Sequence, residues 1–543
     1  MNFIEKLFDN LAAYPDEPFV REVHGSELRD TTGAELARTI GIFRKTLRDG
    51  GVKPASRVVL LAPNSALWVA ADLAILAEGA ISVPMYARQD AAELVAMMRD
   101  CQPKKVLVAD DALKEAVKAH WKRCPAMTFD EALPAGDGID EPPHLRDDAD
   151  TATIIYTSGT SGEPKGVMLS VGNIDHMLPV TEGHLDKMMG PREGHDRVFH
   201  YLPFCFAGSR VVLWTCLFRA NPIMVSTDLD NLSTEIGAAK PNYFLNVPVL
   251  LERMKNAVEQ GVRAKPAPIQ KLYDSGRKAW MRIATGEGSA LDRLKYAVAK
   301  RVVFDAIRQR IGPNLRCLIC GSAPLGEETQ HWFGMLGIPV YQVYGLTETT
   351  AIVTMDRPPE RTVPGWVGLT IPGVQTRVTD EGELQVKGPN IFAGYWNKKD
   401  VTESVFDDGW FATGDQVEQD DEGRFKVIGR VKNLLVPSSG HNVAPEPIEQ
   451  KLLEGIEGCE SAVVIGHGRP FLTALIAGEV DAEQVNAHIE AVNAELPHYR
   501  RIRNWHHCEE LLTIENGLLT ATSKLKRSAI NEHFSDAIEA MYA

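Results

Sequence analysis

Residues Ile154 to Val167 read IIYTSGTSGEPKGV. An apolar run of strand character opens here into Thr157, Ser158, Gly159, Thr160, Ser161 and Gly162, and the loop closes on Lys165 and Gly166. Glycines and small hydroxyl residues let backbone N–H and side-chain O–H groups converge on phosphate oxygens, while a lysine adds a mobile positive charge. The run therefore reads as a strand ending in a loop for a nucleotide triphosphate. It is not a P-loop, because GxxxxGK[ST] fails where Pro164 precedes the lysine and Gly166 follows it. A dinucleotide-binding GxGxxG is missing as well, since Gly286-Glu287-Gly288 and Gly466-His467-Gly468 lack the third glycine.

Upstream, RVVLLAP from Arg57, a helical stretch from Ala66 to Glu78, ISVPMY from Ile81, a helical stretch from Ala91 and KVLVAD from Lys105 alternate strand and helix. Such alternation predicts stacked βαβ units around parallel sheets. From about Pro358 to Gly429 short strands sit between Gly and Pro turns, which predicts a small antiparallel or barrel-like subdomain. Beyond Arg430, strands SAVVIGH and LTALIAGEV mix with helices PEPIEQKLLE and DAEQVNAHIEAVNAEL, enough for a separate α+β domain. The expected fold class is α/β: a large N-terminal domain of stacked αβ layers with a β-barrel-like subdomain, then a small α+β C-terminal domain.

The 543 residues carry 58 Lys+Arg against 73 Asp+Glu, a net charge of −15, and 44% are hydrophobic. That balance excludes a disordered or fibrous chain, and the acidic surplus speaks against wholesale nucleic-acid binding. Eight scattered cysteines suit reduced thiols in a cytoplasmic protein, and the lone CxxC of Cys317 and Cys320 reads as a buried strand before it reads as zinc ligands. The N-terminus lacks the apolar core of a secretory signal. The most apolar stretch, Val58 to Tyr86, is broken by Asn64, Ser65, Asp72, Glu78 and two prolines, so no membrane span is expected.

One segment runs against the acidic average. Arg263 to Arg310 holds twelve Lys+Arg and four Asp+Glu, a local +8, with Tyr273, Trp280 and Tyr296 interleaved. Two readings stand: a patch for transient contact with a membrane surface or an anionic ligand, and solvated helical faces on an insertion.

YTSGTSGEPKG (156–166), CGSAPL (320–325), YGLTE (344–348), GELQVKGPNIFAGYW (382–396), WFATGD (410–415), GRVKNLL (429–435) and LTATSKLKR (519–527) resemble, in order and spacing, the signature motifs of adenylate-forming enzymes. That superfamily includes acyl-CoA synthetases, luciferases and peptide-synthetase adenylation domains. NVAPEPIE (442–449), the closing LTATSKLKR and the basic insertion are most similar to the long-chain fatty acyl-CoA synthetase branch. The resemblance implies ATP-dependent activation of a fatty acid to acyl-AMP with release of pyrophosphate, then transfer to CoA. Loading of a carrier protein, or use of a shorter or aromatic acid, are the alternatives. It further implies ATP, Mg²⁺ and CoA as ligands, small-molecule partners, no nucleic acid, and a monomer or homodimer. The domains would be residues 1–429 (β-rich part about 358–429), a hinge at 430–432 and a mobile lid at 433–543.

On the matching positions, Thr157, Ser158, Gly159, Thr160 and Lys165 would hold the β- and γ-phosphates. Thr347 would bond the α-phosphate and Glu348 would ligate Mg²⁺. Tyr344, followed by Gly345, would face adenine opposite Gly321, Ser322 and Ala323. Asp415 would take both ribose hydroxyls, and Arg430 ribose and phosphate. Lys524 would bridge the substrate carboxylate and the α-phosphate during adenylation; rotation about Lys432 would then bring Ser439 and Gly440 to the pantetheine of CoA. Relatives commonly read YLPLxHxxER where YLPFCFAGSR (201–210) stands here, so Phe206 occupies a usual His near the incoming carboxylate and Ser209 a usual Glu. Ser439 and His441 likewise replace a Gly and a Glu.

Lys524→Ala is expected to slow acyl-adenylate formation at least about a hundredfold while sparing thioester formation from preformed acyl-AMP. Single-turnover assays of each half-reaction check this, and an equal loss in both halves removes the assignment.

Overall fold

The computed structural model describes residues 1–158, 164–190, 194–358, 362–438, 441–520 and 524–543. They divide into two compact units, one of residues 1–87, 91–375 and 386–409, the other of residues 88–90, 376–385 and 410–543.

Two sheets organise the first unit. Among the described residues one has nine strands in the order Leu369–Thr370, Thr354–Met355, Val340–Tyr344, Leu318–Cys320, Tyr243–Asn246, Val198–His200, Ile223–Ser226, Pro18–His24 and Glu27–Thr32. The other has seven: Gly394–Tyr395, Pro164–Ser170, Thr151–Ser158, Ile81–Met85, Arg57–Leu61, Lys105–Val108 and Ala126–Thr128. The inner strands pair in parallel, as the alternating sequence predicts, and antiparallel strands close the edges.

Successive side chains of a strand point to opposite faces, and each sheet here is buried on both. Val58 and Leu60 face one core with Val198, Ile223, Val225 and Tyr243 of the other sheet, so helices between the sheets share that core. Val59 and Leu61 face a second core, and Phe199, Met224, Phe244 and Leu318 a third. The layers thus run helix, sheet, helix, sheet, helix. Helix Ala66–Ala77 lies in the middle layer, capped by Ser65, and is buried from Trp68 to Ala77 on every side. An all-apolar circumference is what such a position selects.

Asp72 on that helix is the exception. It accepts from Ser82 Oγ at 2.6 Å and pairs with Arg210 Nη2 at 2.8 Å, both carboxylate and guanidinium being fully enclosed. Burial pushes the Asp72 carboxyl up and the Arg210 guanidinium down, the usual result of desolvating a charged pair. The Arg210 cation also lies over Trp214 at 4.3 Å.

The basic segment folds as helices Ala267–Ala284, Ala290–Ala299 and Asp305–Ile311 against the outer face of the nine-stranded sheet. The first two cross closely at Gly276, where a Cβ would stand 2.3 Å from that of Ala299. All eight cysteines are free thiols, and Cys317 and Cys320 are buried, the latter within a strand, as expected. Among the described residues no helix is long and apolar enough to cross a membrane.

The second unit repeats the layering on a smaller scale. Its sheet Cys459–Ile465, Leu472–Gly478, Ile502–Cys508 sends Ala462, Val464, Ala474 and Ile476 to helices Glu446–Gly455 and Ala482–Glu495, and Val463, Leu475 and Ala477 to helices Arg527–His533 and Ser535–Tyr542. The unit also holds the antiparallel hairpin Trp410–Gln419 and Phe425–Arg430, because Thr413 Oγ1 and Val417 N tie it to Leu384 O and Gly382 O. Packing therefore groups residues 376–385 and 410–429 with the C-terminal block, whereas the motif-based boundary lies at the hinge.

His200, fully buried at the end of its strand and stacked on Phe204 at 5.1 Å, has its pKa lowered by burial to about 4. The unfolded chain then binds the proton first, so stability falls as pH drops from about 6.5 to about 4, by about 3 kcal/mol for this group. His200→Phe is expected to remove that share of the slope, as read from urea midpoints between pH 4 and 7.

Candidate functional site

Strands Thr151–Ser158 and Pro164–Ser170 form an antiparallel hairpin in which Thr157 pairs with Lys165 and Tyr156 with Gly166. The expected loop residues Gly159 and Thr160 lie outside the described residues, and Ser158 is placed only as the end of its strand. Gly166 is glycine for a steric reason: a Cβ there would meet Ile154 Cγ2 at 2.8 Å and Trp396 Cβ at 3.2 Å, while Trp396 N donates to its carbonyl at 2.7 Å.

That contact pulls a distant strand into the site. Tyr395 of strand Gly394–Tyr395 pairs with Val167, its ring lies 5.3 Å beneath Lys165 Nζ, and its hydroxyl donates to Glu348 Oε1 at 2.8 Å. Lys165 and Glu348, expected from separate motifs, are thereby brought to the same ring. Sequence reasoning missed Tyr395 as a site residue. The signal was its place in GELQVKGPNIFAGYW, but no local pattern names partners so far away.

Tyr344, Gly345, Thr347 and Glu348 leave the end of strand Val340–Tyr344, and Gly321, Ser322 and Ala323 leave the end of its parallel neighbour Leu318–Cys320. Carboxyl ends of adjacent parallel strands are where open α/β sheets bind ligands. Backbone approach is close here: a Cβ on Gly345 would stand 2.2 Å from Ala351 O, and one on Gly321 2.8 Å from Val343 Cγ2. Ser322, Thr350 and Ala351 take left-handed φ of 73°, 51° and 77°. Each such non-glycine costs about 1 kcal/mol or more and persists because neighbours hold it. Asn390 is one holder, its side-chain amide donating to Thr349 O and Ile352 O at 3.2 and 3.1 Å while its main-chain carbonyl accepts from Thr350 Oγ1 at 2.8 Å.

Phe206, half-buried, precedes helix Ala207–Phe218, its ring 6.0 Å from that of Tyr86. Ser209 and Arg210 follow it into the core, so the usual Glu position is buried here and uncharged.

The second unit holds the remaining expected residues. Asp415 and Arg430 face each other across the hairpin, with Arg430 Nε 2.6 Å from Asp415 Oδ1, and Arg430 Nη1 donates to Thr413 O at 3.3 Å. Lys432 is exposed in the turn Val431–Asn433. Lys524 is exposed beside an antiparallel bridge between Leu519 and Leu525, and its backbone N donates to Thr520 Oγ1 at 3.1 Å. Ser439 and Gly440 lie outside the described residues; nearby, the His441 ring packs at a tilt against Tyr499, centroids 4.2 Å apart. A cavity of about 140 Å³ lined by Ile428, Leu434, Asn442 and Ile448 touches two of the quoted motifs but none of the residues given a catalytic or binding role from the sequence.

Among the described residues no group of three or more His, Cys, Asp or Glu could hold a metal. A lone carboxylate such as Glu348 nevertheless fits Mg²⁺, which is bound by one or two carboxylates together with substrate phosphates and water.

Comparison with known proteins gives the family and the fold. Residues 7–396 match the AMP-binding enzyme family, and residues 432–543 match the AMP-binding enzyme C-terminal domain. The chain is 28% identical to the long-chain-fatty-acid–CoA ligase FadD15 of Mycobacterium tuberculosis, covering 100% of this chain and 97% of that protein. It is 25% identical to the long-chain-fatty-acid–[acyl-carrier-protein] ligase AEE15 of Arabidopsis thaliana, over 94% of this chain and 82% of that protein. In fold it resembles ATP-bound MatB from Rhodopseudomonas palustris, with a TM-score of 0.75, 24% identity, and 99% and 100% of the two chains covered.

Tyr395→Phe removes one hydrogen bond to a carboxylate and keeps the ring under Lys165. It is expected to lower acid-dependent pyrophosphate release about tenfold with an unchanged melting temperature. An unchanged rate would leave the Tyr395–Glu348 contact a structural one.

Proposed function

The chain belongs to the AMP-binding enzyme family, and we propose that it is a fatty-acid–CoA ligase acting through an acyl-adenylate. In the first half-reaction a carboxylate oxygen attacks the α-phosphorus of ATP, the bond to the bridging oxygen breaks, and pyrophosphate leaves. In the second a thiolate attacks the acyl carbon and AMP leaves with its bonding electrons. Neither half requires a protein nucleophile, so the residues contribute positioning and charge neutralisation.

The observation that carries this reading is the meeting of Lys165 and Glu348 at Tyr395, beside the ends of strands that carry Tyr344 and Gly321. In this reading Thr157, Ser158, Gly159, Thr160 and Lys165 hold the β- and γ-phosphates and Thr347 the α-phosphate. Tyr344 with Gly345, facing Gly321, Ser322 and Ala323, takes the adenine. Glu348 would hold Mg²⁺, which supplies neutralisation of the phosphate charge. Asp415 and Arg430 take ribose; their mutual ion pair fixes the carboxylate before ligand arrives. Lys524 serves adenylation, Lys432 the change between half-reactions, and Ser439 and Gly440 the CoA strand. Phe206 replaces a hydrogen-bonding ring with an apolar one where the acid enters, which favours an aliphatic chain over a polar acid.

Transfer to a carrier protein is the second reading, kept by the likeness to a relative named for that acceptor. Pyrophosphate release against acids from C4 to C20 and benzoates, with and without CoA, tests both. Turnover with long-chain acids and acyl-CoA detected by mass spectrometry is the expected outcome. Turnover indifferent to CoA, with acyl transfer to a carrier protein, favours the second.

A further inference from the structure

Helix Ala290–Ala299 and the π-helical turn Lys300–Phe304 that continues it are apolar on two faces, and only one is covered. Inward, Ala299, Val303 and Phe304 join the core, and Tyr296 OH donates to Met335 O at 2.8 Å. Outward, Leu291, Leu294, Val298 and Val302 are 57%, 61%, 47% and 52% exposed. Their spacing of three and four residues puts them on one stripe about 16 Å long. Isolated exposed aliphatics are ordinary, but four in one stripe mark a surface that is covered in use.

The flanks say by what. Lys295 and Arg301 flank the stripe, Arg293 and Lys300 lie further round the same turns, and among the described residues none of the four makes an ion pair. Three of the neighbouring cations, Arg263, Arg277 and Arg282, are instead matched by Asp274, Glu259 and Asp292. Aliphatic residues along the centre with unmatched cations along the sides is the pattern of a helix lying in the plane of an anionic bilayer interface. Charge also favours this orientation: residues 263–310 carry +8 in a chain of −15, so the remainder, at −23 in sum, is on balance repelled from an anionic surface while this segment is drawn to it.

We infer that this helix docks the protein on anionic membranes, seating Leu291, Leu294, Val298 and Val302 among the acyl chains near the headgroups and its four cations among lipid phosphates. The inference stands on surface chemistry alone and does not depend on which acid or thiol the enzyme uses.

Co-sedimentation of the full chain with vesicles tests it, comparing phosphatidylcholine alone with phosphatidylcholine containing phosphatidylglycerol. Binding to the anionic vesicles that weakens with salt is expected, with little binding to the neutral ones. The double variant Leu294→Glu, Val298→Glu should bind at least tenfold more weakly. The triple variant Arg293→Ser, Lys295→Ser, Arg301→Ser should lose about fivefold per cation on anionic vesicles only. Both variants change exposed positions apart from the half-buried Lys295, and unchanged melting temperatures together with unchanged pyrophosphate release on a water-soluble acid show that fold and site are intact. A wild-type chain that stays in the supernatant at low salt overturns the inference, as does a double variant that sediments equally well. So does a double variant that alters only the oligomeric state, which would make the stripe an interface between copies.

Discussion

A layer of helices closed in by sheet on both sides is the constraint to which the first unit answers. Because neither face of helix Ala66–Ala77 reaches water, its residues are apolar all round, and any charge placed there must find its counter-charge inside. Asp72 finds Arg210, and removing either would strand the other at a cost of about 3–5 kcal/mol. The pair is more than a burial problem solved. Arg210 lies on helix Ala207–Phe218, whose first turn follows Phe206, so an ion pair deep in the core anchors the helix that presents the residue proposed to meet the acid.

The same layering puts the parallel strands' carboxyl ends side by side and so creates the ligand edge. There the chain leaves its strands through tight, partly left-handed turns at Ser322, Thr350 and Ala351. The turn at Thr350 and Ala351 is held by its own backbone bonds and by Asn390, which reaches in from a remote segment to bond the carbonyls of Thr349 and Ile352. The strand Gly394–Tyr395, four residues further on, then lays Tyr395 between Lys165 and Glu348. Rigidity and chemistry at this edge are thus supplied by one stretch, which explains why GPNIFAGYW reads as a unit.

In the second unit the expected residues that are described fall on a hairpin and turns outside the three-stranded sheet. Asp415 and Arg430 are paired across a hairpin, and Lys524 sits at a short bridged turn. The substitution of His441 for a usual Glu has a packing counterpart, since its ring packs at a tilt against Tyr499. Ser439, the other departure, lies outside the described residues.

Much of this was legible in the residues. The alternation of RVVLLAP, ISVPMY and KVLVAD with helical stretches gave the parallel sheets, since period and composition are local properties. The order of seven short motifs gave the family and named Lys165, Glu348, Asp415, Arg430 and Lys524 as candidates, because each motif's chemistry needs particular residue types close together in the chain. What tertiary structure alone decided is which of these meet and through what. Tyr395 touches Glu348 because two strands far apart in sequence become neighbours, and Asp72 meets Arg210 because two helices share a layer. The basic segment shows the same limit: its charge could be counted from the sequence, but whether Leu294 and Val298 lie inside or outside depends on which helix face the core has already covered.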